Sequence, residues 1–313
     1  MTTELQPPRE AQVGPDEAAR PSRSGRPALA RRAARFLLMA PSGLLLVALV
    51  VVPLVMLVYF GLLTGPSVDG PVTGDEWARM VSQPGLYGQL LVRSLVLGLA
   101  ATALTILFAW PTAWALSRHA RRVRSLYLAL VIIPHLTSSL LLIYAMYVLV
   151  APGGALMTAL GALGVADTSA TILFTQWAVL IMLVYLFFPF MVMALFAAVE
   201  RIDDTMLDAA RSLGAGTLQR FRHVVVPLTL PGMIAGLVIV FTPAAGSFVE
   251  ARILGGTEGM MFGTLISEQI SRVNNQPRAA AMSVVLLLSI LGVLGALRWG
   301  AQRAFPGAMR RRR

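Results

Sequence analysis

The 313 residues contain no cysteine and no lysine; all 26 basic residues are arginine. Without cysteine there is no disulfide and no thiolate metal site. Without lysine there is no Walker A loop, whose lysine sits on the nucleotide phosphates, so ATP hydrolysis by that route is excluded. Histidine is scarce too. His119, His135 and His223 stand far apart, and no His-Glu-x-x-His spacing occurs. No serine lies in a Gly-x-Ser-x-Gly elbow. Asp203 and Asp204 are adjacent and read as cap and dipole residues, not as a catalytic pair. These absences argue against an enzyme, a metal site and a bound cofactor.

Charge is scarce as well. Only 13% of residues are charged and 57% are hydrophobic, whereas soluble domains carry about a quarter charged residues. The charges are clustered between long apolar runs. A chain with this pattern is a polytopic membrane protein, and an all-α one, because a helix satisfies its backbone inside hydrocarbon. Six runs are expected to span: about Phe36–Leu63, Gln89–Leu116, Leu126–Val150 (interrupted by Pro134), Ala170–Val199, Gly232–Val249 and Pro277–Trp299. Each is about 20 residues or more, enough for a hydrocarbon core of about 30 Å. Residues 1–35, rich in Pro, Arg and Ala, read as a disordered tail; 36–300 form the membrane domain, and 301–313 a basic tail. The first run is too long for a signal-peptide core and reads as a retained span; Arg31-Arg32 as a twin-arginine signal is the alternative.

The arginines give the orientation. Seven precede residue 36, four lie at 118–124, four at 200–223 and six at 298–313. The opposite side has five: Arg79, Arg93, Arg252, Arg272 and Arg278. The excess places both termini and the 200–230 loop in the cytoplasm. The net charge of +11 is thus topological and does not imply nucleic acid.

The segment from Asp203 to Pro231 is the longest polar stretch between apolar ones. It reads as a short helix, a glycine break, a second short basic helix and a proline entry into the next span. Asp203 or Asp204 can cap the first helix, and Gly214 suits the left-handed residue that ends it. Leu207, Ala210 and Leu213 fall on one side at helical spacing. Asp208 early and Arg211 late match the helix dipole. Arg201, Arg220 and Arg222 can anchor the loop at headgroup level. Such a loop is a stiff knob that a partner can grip.

Asp208-Ala209-Ala210, three residues, Gly214, nine residues, then Val224-x-Val226-Pro227 resembles the EAA motif of binding-protein-dependent ABC importer permeases. That pattern is Glu-Ala-Ala, Gly and Ile-x-Leu-Pro at the same spacing; Asp208, Val224 and Val226 are the departures. The resemblance implies a type I importer permease of the MetI-like fold in a bacterial inner membrane, surrounded by membrane lipid. It implies that Asp208, Ala209, Ala210, Gly214, Val224, Val226 and Pro227 couple to a separate ATPase. The implied partners are two ATPase subunits, a second permease subunit, identical or sister, and an extracytoplasmic substrate-binding protein. Pro189-Phe190, Phe248-Val249, Leu254-Gly255-Gly256, Gly263, Leu265-Ile266 and Gln269 resemble the spermidine/putrescine branch, whose relatives serve polyamines, ferric iron or phosphonate-like solutes.

Polar residues within spans are costly and default to functional candidates. His135, Ser138, Ser139, Tyr144, Gln176, Thr242 and Glu250 are therefore candidates to line a substrate path, beside the reading that they merely satisfy their own helices. Gly232 and Gly236, and Gly292, Ala296 and Gly300, permit close helix packing. An ATP-independent carrier or channel is the rival of another class; a carrier should show inverted repeats, and none is clear here.

Overall fold

The computed structural model describes residues 28–65, 70–118, 121–164 and 171–304, with side chains from Pro41 onward except at 121–123. His119 and the two tail ends lie outside the described residues. Among the described residues no named strand forms; Leu63 and Val72 make an isolated bridge. The chain divides into two compact units at Leu54.

The first unit is the leading part of α1 (Ala28–Leu62). The helix starts at Ala28, not at Phe36 as expected, so residues 28–35 are helical. Its apolar side chains from Leu44 to Leu54 are exposed all round.

The second unit holds the remaining helices. Following the end of α1 comes α2 (Asp75–Ser82), then α3 (Pro84–Arg118). Next come α4 (Arg121–Ile132), a 3₁₀ turn at Ile133–Leu136, α5 (Ser139–Val150) and α6 (Ala155–Ala162). The chain continues through α7 (Gln176–Val199), α8 (Asp204–Ser212), α9 (Thr217–Arg220), a π turn at Phe221–Val225 and α10 (Val226–Ala245). A second π turn, Ala251–Gly255, leads to α11 (Phe262–Ser271) and α12 (Gln276–Ala304).

Six segments are long and apolar enough to span: Pro41–Leu62, Pro84–Arg118, Ser139–Ala162, Gln176–Val199, Thr217–Ala245 and Gln276–Ala304. The count matches expectation; the boundaries differ most at the third and fifth spans. The third span is Ser139–Ala162, and the residues before it form a separate shorter apolar helix, Arg124–Leu136. Pro134 explains this. It lacks an N–H and crowds the preceding turn, so the helix tightens to 3₁₀ and Thr137 turns extended. The fifth span starts at Thr217, because α9, the π turn and α10 run on without a break. Pro227, which has no N–H to donate, lies just past the π turn inside this continuous segment. Residues 250–276, expected as a loop, contain the helix α11, whose Phe262, Gly263 and Thr264 are buried.

Helices α3, α7 and α10 form the packed centre. Leu97, Ala101, Val179, Leu183 and Ala244 share one cluster; Ala109, Ala113, Met191, Leu195 and Val240 share the next. In lipid, apolar helices gain little from hydrophobic association, so close contact of small residues carries the packing. A Cβ on Gly98 would lie 3.0 Å from Ala245, one on Gly232 only 2.3 Å from Ala198 Cβ, and one on Gly236 2.6 Å from Met191 Sδ. At Gly292 and Gly300 a Cβ would meet nothing within 4 Å among the described residues, so neither packs closely against a described helix. Two buried threonines of α3 are satisfied along their own helix: Thr102 donates to Gly98 O at 2.7 Å and Thr105 to Ala101 O at 2.6 Å.

At the other end, Glu76 on α2 is almost fully buried and accepts from Arg278 Nε of α12 at 2.7 Å. This ion pair joins segments 202 residues apart. Removing one partner of a buried pair leaves an unpaired charge, so Glu76→Ala should cost about 3–5 kcal/mol. The expected readout is a clear fall in melting temperature in detergent, partly recovered by Arg278→Met in the same chain. By contrast Gly292→Val should leave the melt unchanged, whereas Gly232→Val should lower it by about 1–3 kcal/mol of overpacking.

Candidate functional site

The site is built where α7 hands over to α8. Ile202 is buried and fixes the exit of α7. Asp203 then caps α8, its Oδ1 accepting from Thr205 N at 3.0 Å. Asp204 supplies the first-turn acid and Arg211 the last-turn base. Asp208 falls in the middle of the helix, not early as expected, so the dipole match belongs to Asp204.

The helix ends as expected at Gly214, which has φ of +81°. Gly214 N donates to Arg211 O at 2.9 Å, and Ala215 N donates to Ala210 O at 3.1 Å. This double bond pattern is the Schellman stop, which needs a left-handed residue and satisfies the last carbonyls. A short helix capped at both ends is stiff, although it is too short to persist alone.

Two ion pairs hold this end of the loop to the last residue of α3 and the first turn of α4. Arg118 pairs with Asp204, and Arg124 pairs with Glu200 at 2.6 Å. Arg118 also lies over the Trp114 ring and Arg124 over the Phe196 ring. The pairs are partly exposed, and such pairs are worth up to about 1 kcal/mol each. Their role is to orient α8.

Of the three residues expected on one side of the helix, Leu207 and Ala210 are half-buried, but Leu213 is 88% exposed. The helix has already ended at Ser212, so Leu213 leaves the helical register. Val224, Val226 and Pro227 are half-buried, and the fully buried residue is Val225 between them. The chain is helical here, and residues two apart on a helix do not share a face. Asp208 and Ala209 are exposed at the loop surface. So are Met206 and Leu218, apolar side chains that sequence reasoning passed over. Their signal was an apolar residue in a polar loop, which alone marks nothing.

The seven polar candidates within the spans do not converge on one cavity. His135 packs against Tyr185 and edge-on to Phe190, with centroids at 5.7 and 6.4 Å. Both its ring nitrogens are buried without a hydrogen-bond partner among the described residues. Gln176 lines a groove of about 620 Å3 with Gln89 and Arg93, and Arg93 donates to Glu258 O at 2.8 Å. Gln89 and Arg93 were not among the expected residues. Glu250 accepts from Ser247. Ser138 precedes α5 as its cap residue without a side-chain cap bond, and Ser139, Tyr144 and Thr242 are exposed. Among the described residues no group of acids and histidines could hold a metal ion.

Residues 101–305 match the family described as binding-protein-dependent transport system inner membrane component. The chain belongs to this family. It is an ABC importer permease and a multi-pass inner-membrane protein. The permease is 38% identical over 231 residues to the spermidine/putrescine transport system permease protein PotB of Escherichia coli K12, covering 74% of this chain and 83% of the relative. It is 39% identical over 216 residues to the PotB protein of Haemophilus influenzae, covering 69% and 75%. A bacterial alginate ABC transporter, solved in complex with a periplasmic protein bound to alginate pentasaccharide, has the same fold. Its TM-score is 0.66 at 15% identity, over 88% of this permease and 96% of that chain.

The cap on α8 is directly testable. Asp203→Ala removes the acceptor for Thr205 N and should cost the helix about 1 kcal/mol. Hydrogen exchange at residues 205–207 should quicken about fivefold, with the global melt unchanged, since 1 kcal/mol corresponds to that factor.

Proposed function

We propose that the permease forms a polyamine path across the inner membrane and takes its driving force through α8 from a separate ATP-hydrolysing subunit. The observation that carries this is the build of the loop. Residues 203–227 hold a short helix that is capped, stopped by glycine and tied by two ion pairs, with Met206, Leu213 and Leu218 presented outward. A limp loop cannot transmit force; a fixed one with an exposed apolar tip can be gripped. Asp208, Ala209, Ala210 and Gly214 form the gripped surface, and Val224, Val226 and Pro227 root it in α10.

The arginine excess places this loop and both termini in the cytoplasm. The chain has no lysine for a phosphate-binding loop, which supports an ATPase carried by a partner. The family resemblance supports two such subunits beneath two permease subunits. A binding protein delivers solute at the opposite face. The likeness to spermidine/putrescine permeases supports a polyamine as that solute. The polar groups offered to it are His135, Ser138, Ser139, Tyr144, Gln176, Thr242 and Glu250.

The test is uptake of labelled spermidine by proteoliposomes holding the permease with its ATPase and binding protein. Uptake should require ATP. Gly214→Val forces a β-branched residue into a left-handed position, which costs more than about 1–2 kcal/mol, and should cut uptake at least tenfold while insertion persists. Full uptake in that variant would remove the coupling role. Uptake without ATP would instead make the protein a carrier. Failure with spermidine and putrescine but success with ferric iron or a phosphonate would change the solute alone.

A further inference from the structure

On the arginine-rich face, the last turns of α3 meet α8, α9 and the first π turn around a groove of about 240 Å3. Its walls are apolar. Trp110 stacks on Trp114 with centroids 5.6 Å apart and takes Phe221 edge-on at 4.5 Å. Leu207 and Val225 complete the lining. Two hydrogen-bond donors belong to residues of the same groove. Trp110 Nε1 and Arg220 Nε are both buried, and neither has an acceptor among the described residues. Arg220 spends its Nη2 on Thr217 Oγ1 at 3.3 Å, and no carboxylate is among the lining residues. Buried donors are nearly always satisfied, so two orphans in one groove call for an acceptor from outside the chain.

We infer that this groove binds the phosphate of an anionic membrane lipid. The position fits: Trp110 and Trp114 lie in the last turns of the span Pro84–Arg118 and Thr217 opens the span Thr217–Ala245, so the groove sits where two spans meet the polar loop. Tryptophan favours the headgroup level, and arginine beside it attracts anionic headgroups. The apolar walls decide the source. A soluble phosphate would satisfy the donors and leave Leu207, Phe221 and Val225 uncovered. A lipid satisfies the donors with its phosphate and covers the walls with its first methylenes. The inference needs this position only, and stands apart from the coupling role of α8.

The full chain, purified in detergent and stripped of lipid, can be titrated with phosphatidylglycerol, phosphatidylcholine or inorganic phosphate and read by native mass spectrometry. One phosphatidylglycerol should be retained in preference to phosphatidylcholine. Arg220→Gln and Trp110→Phe should each weaken retention about tenfold, the scale of a lost hydrogen bond to a charged group. Trp110→Phe keeps an aromatic ring against Phe221, so an unaltered melt in that variant separates binding from misfolding. Equal retention of phosphatidylcholine, retention unaffected by both variants, or displacement of the lipid by inorganic phosphate would each overturn the assignment.

Discussion

The backbone finds no water in hydrocarbon, and this one constraint shapes the molecule. Every amide inside the membrane must pair within the chain, so each apolar run becomes a helix. Buried hydroxyls on α3 find protein partners: Thr102 and Thr105 turn back to their own helix carbonyls, and Ser94 accepts from Phe262 N. With side chains and lipid tails equally apolar, adhesion falls to small residues, and Gly98, Gly232 and Gly236 let α3, α7 and α10 approach.

The same constraint concentrates function at the helix ends, where unpaired groups must be met. Between α7 and α10 they are met by a carboxylate cap and a left-handed glycine stop, and two arginine–acid pairs fix the side chains around them. These devices are local and cheap, yet together they turn a connection into a fixed surface. A permease driven by another subunit requires such a part. Where the chain does not meet its own needs, as at Trp110 and Arg220, the unmet donors point to something outside it.

Much of this was legible before any coordinates. The six spans, the arginine excess on one face, the Asp203 cap and the Gly214 stop are all written in neighbouring residues. The site was legible in part. Gly214 stands as its pattern requires, but Leu213 does not share the half-buried side of Leu207 and Ala210. The helix ends at Ser212, and a fixed period cannot follow the change of register there.

The amino-acid order by itself determined the helical class, the number of crossings and the stiff loop, because hydropathy, capping and proline act over a few residues. The structure placed the third span beyond Pro134, at Ser139–Ala162, where the sequence showed only an interrupted run. The tertiary structure alone decided the long-range contacts. It alone joined Glu76 to Arg278 and Arg118 to Asp204. It alone gathered Trp110, Arg220 and Phe221 around one groove. Such contacts depend on how helices distant in sequence cross, and no local pattern carries that information.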